Sequence, residues 1–147
     1  MPSLKKPEQK LVLDVNVWVS ALLWGGKPAQ VVELAQEGQL DIFVSESIIA
    51  ELSQVLLYPK IVKVYKDDGL LARDLIEAVL KVVKFAEVKQ TVKVVLEHPA
   101  DDKFIDCALA AGAAYVISGD KHLLKLGSYK KIRVLSVNDF LEVFVAK

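Results

Sequence analysis

A carboxylate at position 14 interrupts the apolar run LVLDVNV (residues 11–17). Burying a carboxylate is unfavourable unless it is paired, hydrogen-bonded or bound to a cation, and the run itself supplies no basic partner. The structural explanation is a turn or helix cap at the end of a strand, with Asn16 and Ser20 as further turn formers. Five more acids share this double reading. Glu51 falls at the edge of an apolar helical stripe formed by Ile48, Leu52, Val55 and Leu56, where a solvated flank is the ordinary explanation. Asp101 and Asp102 open a helix and either can cap it. Asp102 and Asp106 stand i, i+4 on one helix face, where like charges repel by roughly 0.2–0.5 kcal/mol unless a neighbour compensates. Asp120 follows YVISG and caps the next helix.

The chemical reading rests on convergence. Asp14, Glu51, Asp102 and Asp120 fall at strand ends or helix starts. A pocket of carboxylates without His or Cys selects a hard divalent cation, Mg²⁺ or Mn²⁺, and such a site suits phosphate chemistry. Competing chemistries lack their signatures. His98 and His122 do not have the spacing of a zinc motif and read as loop and helix-surface residues. The sequence contains no G-x-S-x-G elbow, P-loop or G-x-G-x-x-G fingerprint. Cys107 lies among small helical residues and reads as core.

Positioning these acids requires strands that alternate with helices. The Val- and Leu-rich run over residues 11–17 has the pattern of a strand covered on both faces. A helix follows over KPAQVVELAQEGQ, then a strand, LDIFV. Ser45 is the expected N-cap of ESIIAELSQVLLYP, which Pro59 stops. Residues 61–83 carry apolar side chains at helical spacing, interrupted by KDDG, which predicts two helices with a turn near Gly69. FAEV and VKVV fit short strands or connections. HPADDKFIDCALAAGA reads as a loop and a helix closed by Gly112, AYVIS as a third strand, GDKHLLKLG as a short helix, IRVLS as a fourth strand and VNDFLEVFVA as a closing helix. This alternation implies an α/β fold with a central, mostly parallel sheet flanked by helices in three layers. Ligands bind such sheets outside the carboxyl ends of the strands, the rim that Asp14 and Asp120 share.

Composition sets the boundaries. With 147 residues, 53% hydrophobic and 26% charged, the chain suits one folded domain over residues 10–147, preceded by a flexible lead-in over residues 1–9. The 19 basic and 19 acidic residues balance, so any nucleic-acid surface must be local. One cysteine excludes an internal disulfide and fits a reducing compartment. No signal peptide or membrane span is read, so the expected location is the cytoplasm, with no membrane partner.

Taken together, VLDVNVWVSALL, VSESIIAEL, HPADDKFIDCALAAGAAYVISGDKHLL and IRVLSVNDFL resemble the PIN domain, the nuclease fold of VapC-type toxins and related ribonucleases. The resemblance spans residues 10–144. It implies an endoribonuclease in which carboxylates hold one or two Mg²⁺ or Mn²⁺ ions and water attacks the scissile phosphate of RNA. Carried over residue by residue, it places the catalytic acids on Asp14, Glu51, Asp102 and Asp120. Asp14, Asp102, Asp106 and Asp120 would be the metal-facing carboxylates, with Asn16 and Ser118 in support; spacing leaves open whether Asp101 or Asp102 is the ligand. At the position after the first acid, where the family usually has a small hydroxyl residue, this chain has Val15. The partners implied are RNA and, for a toxin, an antitoxin protein.

A homodimer is also expected, partly from the family and partly from the apolar excess over residues 61–83. Lys60, Lys63 and Lys66, or Lys121, Lys125, Lys130 and Lys131, are candidates for phosphate contacts, although single lysines on a surface ordinarily serve solubility. A haloacid-dehalogenase phosphatase would need an Asp where Asn16 stands, and a receiver domain would need an acidic pair at the first strand end. A catalytically silent PIN-like module that binds RNA or protein is the remaining alternative, and retention of all four acids argues against it.

Overall fold

The computed structural model describes residues 5–145 of the chain. A six-stranded sheet runs through its centre in the order β3-β2-β1-β4-β6-β5. The strands are β1 (Lys10–Leu13), β2 (Asp41–Val44), β3 (Lys84–Phe85), β4 (Tyr115–Ile117), β5 (Ser128–Tyr129) and β6 (Ile132–Leu135). All pairings are parallel except β5 with β6. Successive strand residues point to opposite faces. Every residue of β2 and β4 is buried, so helices cover both faces of the sheet's centre.

The first strand ends sooner than the apolar run suggests. Backbone pairing with β4 stops at Leu13, and helix α1 (Val15–Leu23) begins immediately after Asp14. Helix α2 (Gly26–Gln36) leads back to β2, and α3 (Glu46–Val55) starts at Ser45, whose Oγ accepts from Ile48 N at 3.3 Å. That helix ends before Pro59, which instead occupies the first turn of α4 (Pro59–Tyr65), a position where its missing N–H goes unused. Gly69, at φ 76°, supplies the left-handed turn before α5 (Ala72–Leu80). The remaining helices are α6 (Asp102–Ala111), α7 (Lys121–Leu126) and α8 (Val137–Val145). Of the two segments read as short strands or connections, FAEV shares only Phe85 with β3, while residues 92–95 form no strand.

Part of the expected lead-in, residues 1–4, lies outside the described residues. Residues 5–9 are held against the fold. Pro7–Gln9 form a 3-10 turn, Pro7 O accepts from Ala114 N at 3.0 Å, and Lys5 pairs with the buried Asp41 at 3.4 Å. Among the described residues no helix is long and apolar enough to cross a membrane.

The strand order fixes where a site can form. From β1 the chain builds outward through β2 and β3, then crosses to the other side of β1 with β4. The crevice between the carboxyl ends of β1 and β4 is the topological switch point of the sheet, where such folds bind ligands.

Candidate active site

Asp14 occupies that crevice. It caps α1, with its Oδ1 accepting from Val17 N at 2.8 Å, and its Oδ2 accepts from the Ser118 hydroxyl, so both oxygens are engaged. Only 3% of the residue is exposed. Burial pushes its carboxyl above the usual range, opposed by the hydrogen bonds from Ser118 and Val17, and the nearby Asp101 charge pushes it further up. Ser118, fully buried just past β4, also accepts from Asp120 N at 2.9 Å. One hydroxyl therefore links the ends of the two central strands.

Asp120 caps α7, accepting from His122 N at 2.7 Å. Glu51 reaches in from α3, and its Oε1 accepts from the Lys103 ammonium of α6. Asp101 closes the 3-10 turn Pro99–Asp101 that leads into α6, and His98 Nδ1 donates to its Oδ2 at 2.7 Å. Burial raises the Asp101 carboxyl, the His98 interaction opposes this, and the Asp120 and Glu51 charges add to the rise. His98 is itself raised by its hydrogen bond to Asp101 and by that residue's charge. Asp14, Glu51, His98, Asp101 and Asp120, with Asn16, Gln54 and Tyr58, line a recess of about 310 Å³.

The structure brings together Asp14, Glu51 and Asp120, with Asn16 beside them and Ser118 beneath. It does not bring Asp102 or Asp106 into the recess. Their carboxylates face the other way, toward residues 92–95: Asp102 Oδ1 accepts from Val94 N at 3.0 Å and Val95 N at 2.8 Å, and Asp106 Oδ1 accepts from Val92 N at 2.8 Å. Backbone amides therefore do what the i, i+4 spacing demanded of a cation. The acid that completes the recess is Asp101, one residue earlier and about 100° around the helix axis. His98 was also missed. Its signal was faint: one of two histidines in the chain, three residues before an acid in a Pro-containing loop.

The donor set suits a cation. Four carboxylates face one hollow, and burial and mutual repulsion hold the Asp14 and Asp101 carboxyls up, an electrostatic strain that a positive ion relieves. Ligand atoms of His98, Asp101 and Asp120 lie within 4.8 Å of one another, a group able to hold a metal ion.

Residues 10–122 match the family model described as PIN domain. The chain belongs to the PIN domain family. Over 153 aligned positions this PIN domain is 29% identical to an uncharacterized protein of Methanocaldococcus jannaschii, with 98% of this chain and 97% of the relative covered. Its fold matches a chain in the crystal structure of VapBC2 from Rickettsia felis bound to a DNA fragment from their promoter. That match has a TM-score of 0.58 at 14% identity and covers 85% of this PIN domain and 96% of the other chain.

Proposed function

We propose that the recess is the centre of a divalent-metal-dependent endoribonuclease and that residues 10–147 act as one nuclease domain. The observation that carries this is the meeting of Asp14, Glu51, Asp101 and Asp120, from four separate elements, at the switch point of a PIN fold. Asp14, Asp101 and Asp120 would hold the ion, with Glu51 lining the same recess, and a carboxylate-rich face favours Mg²⁺ or Mn²⁺. When bound, such an ion lowers the pKa of water and neutralises charge on a phosphoryl oxygen.

The chain's own residues orient and exclude. Ser118 and Val17 N fix the two Asp14 oxygens, so the carboxylate needs no reorganisation. Lys103 pairs with Glu51 and fixes one of its oxygens. Ser118, fully buried and donating to Asp14, is committed to that carboxylate and is not free to attack a phosphodiester bond. Tyr58, 49% exposed on the recess wall, presents a ring on which an unpaired base can stack, a feature suited to single-stranded RNA. With the recess acids sequestered, the 19 basic residues outnumber the acids that remain, which favours phosphate approach.

The VapBC2 likeness supports a further reading, as the cytoplasmic toxin of a toxin–antitoxin pair with a protein antitoxin as partner. The nuclease reading is tested by metal removal. Protein stripped with a chelator should not cleave single-stranded RNA, and added Mn²⁺ or Mg²⁺ should restore cleavage. Cleavage that survives the chelator, or no cleavage with either ion, would overturn it.

A further inference from the structure

The carboxylate site described above leaves His98 without a role, yet it stands on the wall of the recess. Resting on the nuclease reading above, we infer that His98 is a nitrogen ligand of the metal centre, completing it beside Asp101 and Asp120 and biasing it toward Mn²⁺ over Mg²⁺.

Four observations carry this. His98, Asp101 and Asp120 each offer a ligand atom within 4.8 Å of the others. His98 Nδ1 and Asp101 Oδ2 are 2.7 Å apart and share a proton, and an ion bound there would take that proton's place, releasing it to solvent. The imidazole is also supported: the His122 ring lies against it at 5.6 Å between centroids, and His122 is anchored in turn by Glu97 at 3.0 Å. Half of the His98 side chain is open to solvent, which leaves a path for an ion to enter.

The selectivity follows from ligand chemistry. Mg²⁺ prefers oxygen and retains its waters, whereas affinity of a site containing imidazole rises along the first-row divalent metals that begin with Mn²⁺. His98 and His122 are the chain's two histidines, so an imidazole signal has two sources, and one is committed to Glu97.

Pulsed electron paramagnetic resonance of the Mn²⁺-loaded protein reads the ligand directly through the hyperfine coupling of ¹⁴N to the ion. The wild type should show coordinated nitrogen, His98→Gln should lose it and His122→Gln should keep it. In His98→Gln, Mn²⁺ affinity should fall about tenfold while Mg²⁺ affinity changes by less than about threefold. Mn²⁺ bound in a site that Asp14→Asn abolishes, but without nitrogen coupling or with coupling that persists in His98→Gln, would overturn the His98 role and leave the nuclease reading standing. Absence of Mn²⁺ binding to the wild type would remove both.

Discussion

One residue step around a helix, about 100°, separates an acid that faces the recess from an acid that ties down a loop. Asp101 and Asp102 are equivalent in the sequence, since both can cap α6. What distinguishes them is residues 92–95, whose amides claim Asp102 and Asp106 and whose position no local pattern reveals. Two outcomes are expected at this scale. Asp101→Asn should abolish RNA cleavage with little loss of stability. Asp102→Ala should instead destabilise the fold by about 1–3 kcal/mol, because two amides lose their acceptor, and chemical denaturation of the two variants separates the roles. Equal loss of activity without loss of stability in Asp102→Ala would reverse the assignment.

Asp106 gives the pH test. Burial, with a contribution from the Asp102 charge, raises its carboxyl above 3.8 against the Val92 hydrogen bond. The folded state therefore holds this proton more tightly than the unfolded chain. Its contribution to stability is intact below 3.8 and declines as pH rises through the raised folded value. Asp106→Asn keeps an acceptor for Val92 and removes the charge, so its stability relative to wild type should improve from acid to neutral pH, with cleavage retained. A gap that narrows as pH rises, measured by denaturant titration, would contradict this.

Among the elements, periodicity located the helices well because their apolar stripes and caps are local: Ser45 caps α3, Gly69 makes the turn before α5, and Gly112 at φ 68° closes α6. The run over residues 11–17 misled as to where β1 ends, because its apolar residues continue into α1 and only Asp14, as N-cap, marks the boundary. The two-residue β5 left no legible trace, since so short a strand is defined by its partner β6 rather than by its own pattern. The segment over residues 92–95 is ordered by side chains of α6, which has a measurable consequence. Hydrogen exchange should show protected amides at Val92, Val94 and Val95, and Asp102→Ala should release those of Val94 and Val95 specifically. Unchanged protection there would mean that other contacts hold the segment.

At the scale of the molecule, the α/β alternation was enough to expect the sheet, and the carboxyl-end rule was enough to place Asp14 and Asp120 on one rim. It could not give the strand order, which depends on β4 crossing to pair with β1. Cys107, read as core, is fully buried, and burial pushes its thiol up to about 12. Thiol reagents should therefore modify it only on unfolding. Leu57, Val64, Leu70, Leu71 and Leu80 are exposed on and around α4 and α5, and we propose that the homodimer expected from the sequence forms through this side. Light scattering at micromolar concentration should give twice the chain mass, and a monomer mass would count against it.

The central claim is that Asp14 serves a metal-dependent reaction and does not merely cap α1. Asn caps about as well as Asp, so Asp14→Asn preserves the turn and removes only the charge. The deciding measurement is cleavage of single-stranded RNA by wild-type and Asp14→Asn proteins in Mn²⁺, with melting followed in the same buffer. Asp14→Asn should lose cleavage and the Mn²⁺-induced rise in melting temperature while melting no lower than wild type without metal. Retained cleavage with an undiminished response to Mn²⁺ would show that Asp14 is only a cap.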